Sequence, residues 1–153
     1  MDVRFDIGKR QSGKTTRLLN QAAFDMADGK VNYAILIFPN EAMLYNAKSL
    51  IENLYLIEFE KNCLFVSVNN CLISVVRKLC HSREKVGIYF DEVLLSLCSR
   101  NIYVNWKNFM MRMFSIASCE IACFSGCTPK YNDESNVLEQ LKKMTGFKEG
   151  VEL

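Results

Sequence analysis

The sequence has no apolar run of the roughly 20 residues that a membrane-spanning helix requires. We expect no signal peptide at its N-terminus, because Arg4, Asp6, Lys9 and Arg10 interrupt the apolar residues there. Internal repeats, low-complexity tracts and linkers rich in proline and glycine are absent as well. We therefore expect a single domain over residues 1–153 that does not enter a membrane, with a core of about residues 3–130 and a C-terminal helix at about 134–145.

The net charge and the spacing of the cysteines indicate neither a nucleic-acid partner nor a metal site. The net charge of +2 is too small to indicate a nucleic-acid partner by itself. None of the seven cysteines forms a C-x-x-C pair. Cys119, Cys123 and Cys127 recur every fourth residue, but in an extended strand such residues stand about 13 Å apart, too far for one metal ion. This spacing favours buried, reduced thiols.

What the sequence does contain is a phosphate-binding pattern. Residues 8–15 match G-x-x-x-x-G-K-[ST] without a mismatch, and the residues are Gly8, Lys9, Arg10, Gln11, Ser12, Gly13, Lys14 and Thr15. A strand of alternating apolar residues precedes this P-loop, and a helix that begins at Lys14 follows it. Loop N–H groups and the positive end of the helix would then meet a phosphate. We expect Lys14 to reach the β- and γ-phosphates of a nucleotide, and Thr15 to bind Mg²⁺, with Thr16 completing the binding segment.

Apolar strand-like runs alternate with helix-like segments along the rest of the chain. After the first strand, the pattern predicts strands at 33–38, 64–68, 86–91 and 120–125, and helices at about 41–54, 70–79, 94–118 and 134–145. Continuous apolar strands separated by helices are typical of a parallel sheet covered on both faces. The sequence therefore predicts a doubly wound α/β fold with a five-stranded, mainly parallel sheet.

Two adjacent carboxylates, Asp91 and Glu92, end the fourth predicted strand. At the C-terminal edge of a parallel sheet they would open into the crevice where ligands bind. We expect Asp91 to hold Mg²⁺, directly or through water, and Glu92 to polarise the attacking water as general base. The alternative is that both residues simply open a solvated loop.

The fifth predicted strand leads into a segment with two hydroxyl side chains, Ser125 and Thr128. If this strand lies between the P-loop strand and the Asp91 strand, both hydroxyls would sit near the γ-phosphate. They would then couple the state of the nucleotide to motion. A plain turn built by Gly126 and Pro129 is the alternative.

The order of these segments resembles a known family. The P-loop, a strand that ends at Pro39, the Asp91–Glu92 pair and the Ser125–Pro129 segment are similar to the first RecA-like motor domain of superfamily 2 helicases. They look equally like the ATPase domain of phage terminase large subunits. Both belong to the P-loop NTPases of the additional-strand catalytic-glutamate class. The resemblance covers about residues 3–130, supports the roles given above, and implies that Arg10 contacts the γ-phosphate.

The resemblance implies Mg²⁺-dependent ATP hydrolysis by a motor subunit that acts on or with nucleic acid. A P-loop ATPase works where ATP is, so we expect the cytoplasm, or the host cytoplasm if the chain is viral. Helicases complete the site with an arginine finger from a second motor domain, so a homo-oligomer or a partner subunit would supply it here. Candidate nucleic-acid contacts are Arg10, Arg17, Lys107, Arg112, Lys142 and Lys143.

Two other functions stay open. The segment 11–19 also resembles the P-loop of thymidine kinases, which likewise have a strand ending in Asp-Glu. Those nucleoside kinases usually carry a zinc site with paired cysteines, and a Gln-aromatic pair follows their Asp-Glu; this chain has neither the paired cysteines nor a Gln-aromatic pair after Asp91-Glu92-Val93. The third possibility is a non-catalytic, ATP-gated module that binds a protein partner.

Overall fold

Six strands form one sheet in the computed structural model, which describes residues 2–9, 13–53, 57–68, 73–82, 85–92, 119–128, 139, 142 and 151–152. Their order across the sheet is β3-β2-β4-β5-β1-β6, and every neighbouring pair is parallel. The strands are β1 (Asp2–Lys9), β2 (Tyr33–Phe38), β3 (Cys63–Ser67), β4 (Val86–Phe90), β5 (Ile121–Thr128) and β6 (Val151–Glu152). The α/β class and its parallel sheet are confirmed, and the two-residue β6 is an addition.

The described helices are α1 (Lys14–Ala27), α2 (Glu41–Asn53), α3 (Ile57–Glu60) and α4 (Ile73–Ser82). Helices α1 and α2 begin at the predicted residues. Helix α4 runs further than the predicted segment at about 70–79, and His81 is an exposed residue of its last turn. The predicted helix at 94–118 lies outside the described residues. Of the predicted helix at 134–145, Glu139 and Lys142 have helical backbone and the rest lies outside the described residues.

Apolar side chains cover both faces of the sheet, because successive residues of a strand point to opposite sides. One face packs Phe5, Ile35 and Phe90 against Val76 and Cys80 of α4. The other packs its strand residues against α1 and α2, and its buried members include Leu18, Leu19, Leu36, Phe38, Ala47, Ile51, Tyr89 and Cys123. Helices on both faces explain why the strands are continuous apolar runs.

Strand β5 lies between β1 and β4, as the interpretation of its hydroxyls requires. It pairs with β1 from Asp2–Ile121 to Lys9–Thr128, and with β4 from Gly87–Ile121 to Phe90–Phe124. Because all three strands are parallel, their C-terminal ends meet at one edge of the sheet. The P-loop after β1 and the acidic pair after β4 are thereby brought to the same edge. In the part of the chain that the structure describes, no helix has the length and apolarity needed to cross a membrane.

Candidate functional site

The site begins at the turn from the P-loop into α1. Gly13 has a φ of 78° and ψ of 23°, the left-handed conformation, and it precedes the first residue of the helix. A Cβ added at Gly13 would meet no atom within 4 Å. Glycine is therefore needed here for its backbone conformation, not for space. This turn lets α1 start directly after the loop, with its first N–H groups at the C-terminal edge of the sheet.

Lys14, the first residue of α1, is buried and reaches across to the acidic pair. Its Nζ lies 3.2 Å from Oε1 of Glu92, and the two side chains are 3% and 10% exposed. Burial of an ion pair is costly, and it is tolerated where the partners compensate each other's charge. The P-loop lysine and the predicted general base are thus direct neighbours.

Asp91 is the centre of the site. The Thr15 hydroxyl donates to its Oδ2 at 2.9 Å, and the Ser125 hydroxyl donates to its Oδ1 at 3.4 Å. Its backbone N–H donates to the carbonyl of Ile37 at 2.8 Å, so β2 fixes its position at the end of β4. Burial raises the pKa of the Asp91 carboxyl to about 6, and the nearby charge of Glu92 adds to the rise, against the lowering effect of the Thr15 hydrogen bond. A cation beside Asp91 would favour its charged form.

Glu92 occupies an unusual position. Its φ is 48°, a conformation that residues with a side chain adopt rarely. Its Oε2 atom is buried and has no hydrogen-bond partner among the described residues. Strained backbone and unsatisfied buried polar atoms both concentrate at functional sites. Glu92 is therefore a buried residue and not part of an open, solvated loop, and these two features make it a candidate residue of the site.

The oxygen donors at this edge suit Mg²⁺. No three His, Cys, Asp or Glu side chains among the described residues are grouped to hold a metal by themselves. Mg²⁺, however, is usually held by one or two carboxylates together with substrate phosphates and water. Thr15 Oγ1, the Asp91 carboxylate and the unsatisfied Oε2 of Glu92 fit that donor set.

The structure brings together Lys14, Thr15, Asp91, Glu92 and Ser125. Ser125 was expected as the last residue of the fifth strand; β5 continues to Thr128, and Ser125 is a fully buried strand residue. Thr128 ends β5 opposite Lys9, and Gly8 is buried in β1. Thr16 is half-buried in the first turn of α1. Arg10, Gln11 and Ser12 lie outside the described residues, as do the predicted nucleic-acid contacts Lys107, Arg112 and Lys143.

A further charged pair beside the site was not predicted. Asp6 of β1 is buried, and the guanidinium of Arg17 donates to both of its oxygens at 3.0 Å. Arg17, a candidate nucleic-acid contact, therefore also ties the second turn of α1 to β1. The sequence did contain a signal for such pairs: charged residues occupy alternate positions of β1, a strand expected to be buried on both faces. They need partners there.

Another such pair lies at the far end of α1. Nη1 of Arg4 donates to both oxygens of Asp25 at 2.9 and 2.8 Å. The hydroxyl of Tyr89 donates to Asp25 at 2.8 Å, and Gln21 adds a longer bond of 3.3 Å. Gly87 leaves room for the Tyr89 ring, because a Cβ there would come within 2.7 Å of it. This network joins α1, β1 and β4.

Comparison of the sequence with protein-family models found no match, and comparison with curated proteins found none either.

Proposed function

We propose that this chain binds Mg²⁺–ATP at the edge of the sheet where β1 and β4 end, and that it hydrolyses ATP as a helicase- or terminase-like motor subunit acting on or with nucleic acid. One observation carries the proposal. Two motifs far apart in sequence meet there, with Thr15 bonded to Asp91 at 2.9 Å and Lys14 paired with Glu92 at 3.2 Å. A chance P-loop pattern would not require an acidic partner at its own lysine and threonine.

Each side chain has a distinct task in this proposal. Loop N–H groups and the Lys14 ammonium bind the β- and γ-phosphates. Thr15 and Asp91 hold Mg²⁺, which neutralises charge that develops on the phosphate oxygens. Glu92 accepts a proton from the attacking water as general base. Ser125, which donates a hydrogen bond to Asp91, couples the presence of the γ-phosphate to motion of the chain.

The strand order supports the same class. The additional-strand catalytic-glutamate NTPases are named for a strand between the P-loop strand and the acidic strand, and β5 occupies that place here. The polymer partner rests on the resemblance of the motif order. The cytoplasmic location (the host cytoplasm if the chain is viral) rests on the same resemblance. The arginine finger from a second copy or a partner subunit rests on it as well. Without that arginine we expect hydrolysis to be slower by about 10³–10⁵.

Turnover of ATP by the purified chain tests the proposal. We would measure it with and without single- and double-stranded DNA and RNA, and with Mg²⁺ present or chelated. The wild type is expected to hydrolyse ATP only with Mg²⁺ and faster with a polynucleotide. Glu92→Gln should lower turnover by about 10²–10⁴, the range for a lost general base, while ATP still binds. Glu41→Gln is the matched control, because it removes a carboxylate at the same edge of the sheet, one that accepts a hydrogen bond from Ser67.

The other functions give different results in the same assay. Transfer of phosphate from ATP to an added nucleoside would establish the kinase alternative. Tight ATP binding without turnover under every condition would favour the ATP-gated binding module. A folded wild-type chain that binds no ATP would overturn the proposal altogether.

A further inference from the structure

The ammonium of Lys14 already has an anionic partner within the protein. Nζ lies 3.2 Å from Oε1 of Glu92, and both side chains are at least nine-tenths buried. The proposed function, on which this inference rests, assigns that same ammonium to the phosphates of ATP. The carboxylate of Glu92 therefore lies beside the place that a phosphate oxygen would take.

Two features make the position of Glu92 beside Lys14 energetically unfavourable. The backbone φ of 48° is strained for a residue with a Cβ. The second carboxylate oxygen, Oε2, is buried without a hydrogen-bond partner among the described residues, which is unfavourable for a charged group. The attraction of Lys14 offsets both costs. Once that attraction is shared with another anion, both costs favour movement of Glu92 away from Lys14.

A phosphate bound at Lys14 would supply such an anion. It would stand within a few ångströms of Oε1 in a site largely closed to water, where repulsion between like charges is strong. We propose that Glu92 is a displaceable occupant of the phosphate position: it neutralises Lys14 until a phosphate takes the ammonium, and the phosphate then releases the carboxylate to act on water.

Such an exchange would order the steps of the reaction. While Glu92 is engaged by Lys14, its Oε1 is turned towards the P-loop and is not available to a water molecule. Phosphate binding would both load the site and free the base. The same exchange lowers the affinity for nucleotide, because each binding event must first break the ion pair.

Affinity for ADP without Mg²⁺ tests this, since no hydrolysis and no metal contact contribute. We would titrate ADP calorimetrically into the wild type, Glu92→Gln, Glu92→Ala and the control Glu41→Gln. Both Glu92 variants are expected to bind ADP more tightly than the wild type by about tenfold, which corresponds to about 1.4 kcal/mol. Glu41→Gln removes the same charge from the same edge and should change the affinity by less than about twofold.

The outcomes separate this inference from the proposed function. Equal or weaker binding of ADP by the Glu92 variants would overturn the displacement and leave the proposed site intact. Equal tightening in Glu41→Gln would also overturn it, because a general charge effect would then suffice. Failure of every chain, the wild type included, to bind ADP would refute both.

A second test uses only the wild type, so its result does not depend on whether a variant folds. In hydrogen exchange, addition of ADP should slow the exchange of the first turn of α1 and speed that of a peptide containing Asp91 and Glu92. A merely structural Lys14–Glu92 pair would become better protected with the rest of the site. Slower exchange at both segments would therefore contradict the inference.

Discussion

The two ends of helix α1 both bury charged side chains, but they satisfy them differently. At the C-terminal end, both oxygens of Asp25 have hydrogen-bond donors, from Arg4, Tyr89 and Gln21. At the N-terminal end, Glu92 has one oxygen beside Lys14 and the other without a partner among the described residues. A fully satisfied network stabilises one arrangement of the chain, whereas a partly satisfied one retains capacity for a ligand.

The backbone at the two ends differs in one residue, Glu92. Asp25 lies within a regular helix, and the backbone carbonyl of that residue accepts bonds from Lys30 and Val31 just after it. Glycines with positive φ flank both ends of the helix, Gly13 before it and Gly29 after it, but Glu92 adopts a positive φ although it has a side chain. Strained conformations persist only where the surrounding structure holds them, and they cluster at sites of function. Helix α1 is thus anchored at its C-terminal end, and its N-terminal end is where we propose that phosphate binds.

The largest change in stability is expected from Asp25→Asn. It removes the charge that Nη1 of the buried Arg4 guanidinium faces and leaves Asp2 as the other anionic partner of Arg4. Loss of one member of a buried ion pair costs about 3–5 kcal/mol, so we expect a loss near the lower end of that range. Denaturant unfolding followed by circular dichroism measures this. ADP affinity of the folded variant should change little, because the contact lies at the other end of α1.

Asp28→Asn is the matched control for that prediction. Asp28 is close by in sequence and exposed, and its ion pair with Lys30 is long at 4.0 Å. Its free energy of unfolding should stay within about 0.5 kcal/mol of the wild type. Equal stability of Asp25→Asn and Asp28→Asn would show that the network does not anchor the helix.

A smaller effect is expected from Tyr89→Phe. This substitution removes only the hydroxyl that donates to Asp25 at 2.8 Å, and keeps the buried ring that Gly87 accommodates. A hydrogen bond to a charged group contributes about 1.5–3 kcal/mol, so the free energy of unfolding should fall by that amount. Tyr45→Phe, on an exposed residue, is the control and should be neutral within about 0.5 kcal/mol. A loss as large as that of Asp25→Asn would mean that the ring, and not the hydroxyl, is disturbed.

Much of the fold was predictable because its signals are local. The run Tyr33–Phe38 and the start of α1 at Lys14 agree with the structure residue for residue. The helix α3 and the strand β6, of four and two residues, are too short for any periodicity to reveal. The extension of β5 past Gly126 was missed because glycine and the following Pro129 are typical of a turn.

The members of the site were predictable, but not their contacts. The motif gives Lys14 and Thr15, and the apolar strand before Asp91 gives the acidic pair. That Lys14 contacts Glu92, and Thr15 contacts Asp91, depends on the order of strands in the sheet, which periodicity does not encode. The partners Arg4 and Asp25 are 21 residues apart, and Tyr89 is 64 residues from Asp25, so no local pattern joins them.

The central claim is that nucleotide phosphates bind at Lys14. Calorimetric titration of ATP without Mg²⁺ into the wild type, Lys14→Ala and the exposed-lysine control Lys30→Ala tests it most directly, with circular dichroism confirming that each chain is folded. Loss of charge-assisted bonds from Lys14 predicts an affinity lower by about 10²-fold in Lys14→Ala and unchanged in Lys30→Ala. Equal ATP affinity in all three folded chains would contradict the account.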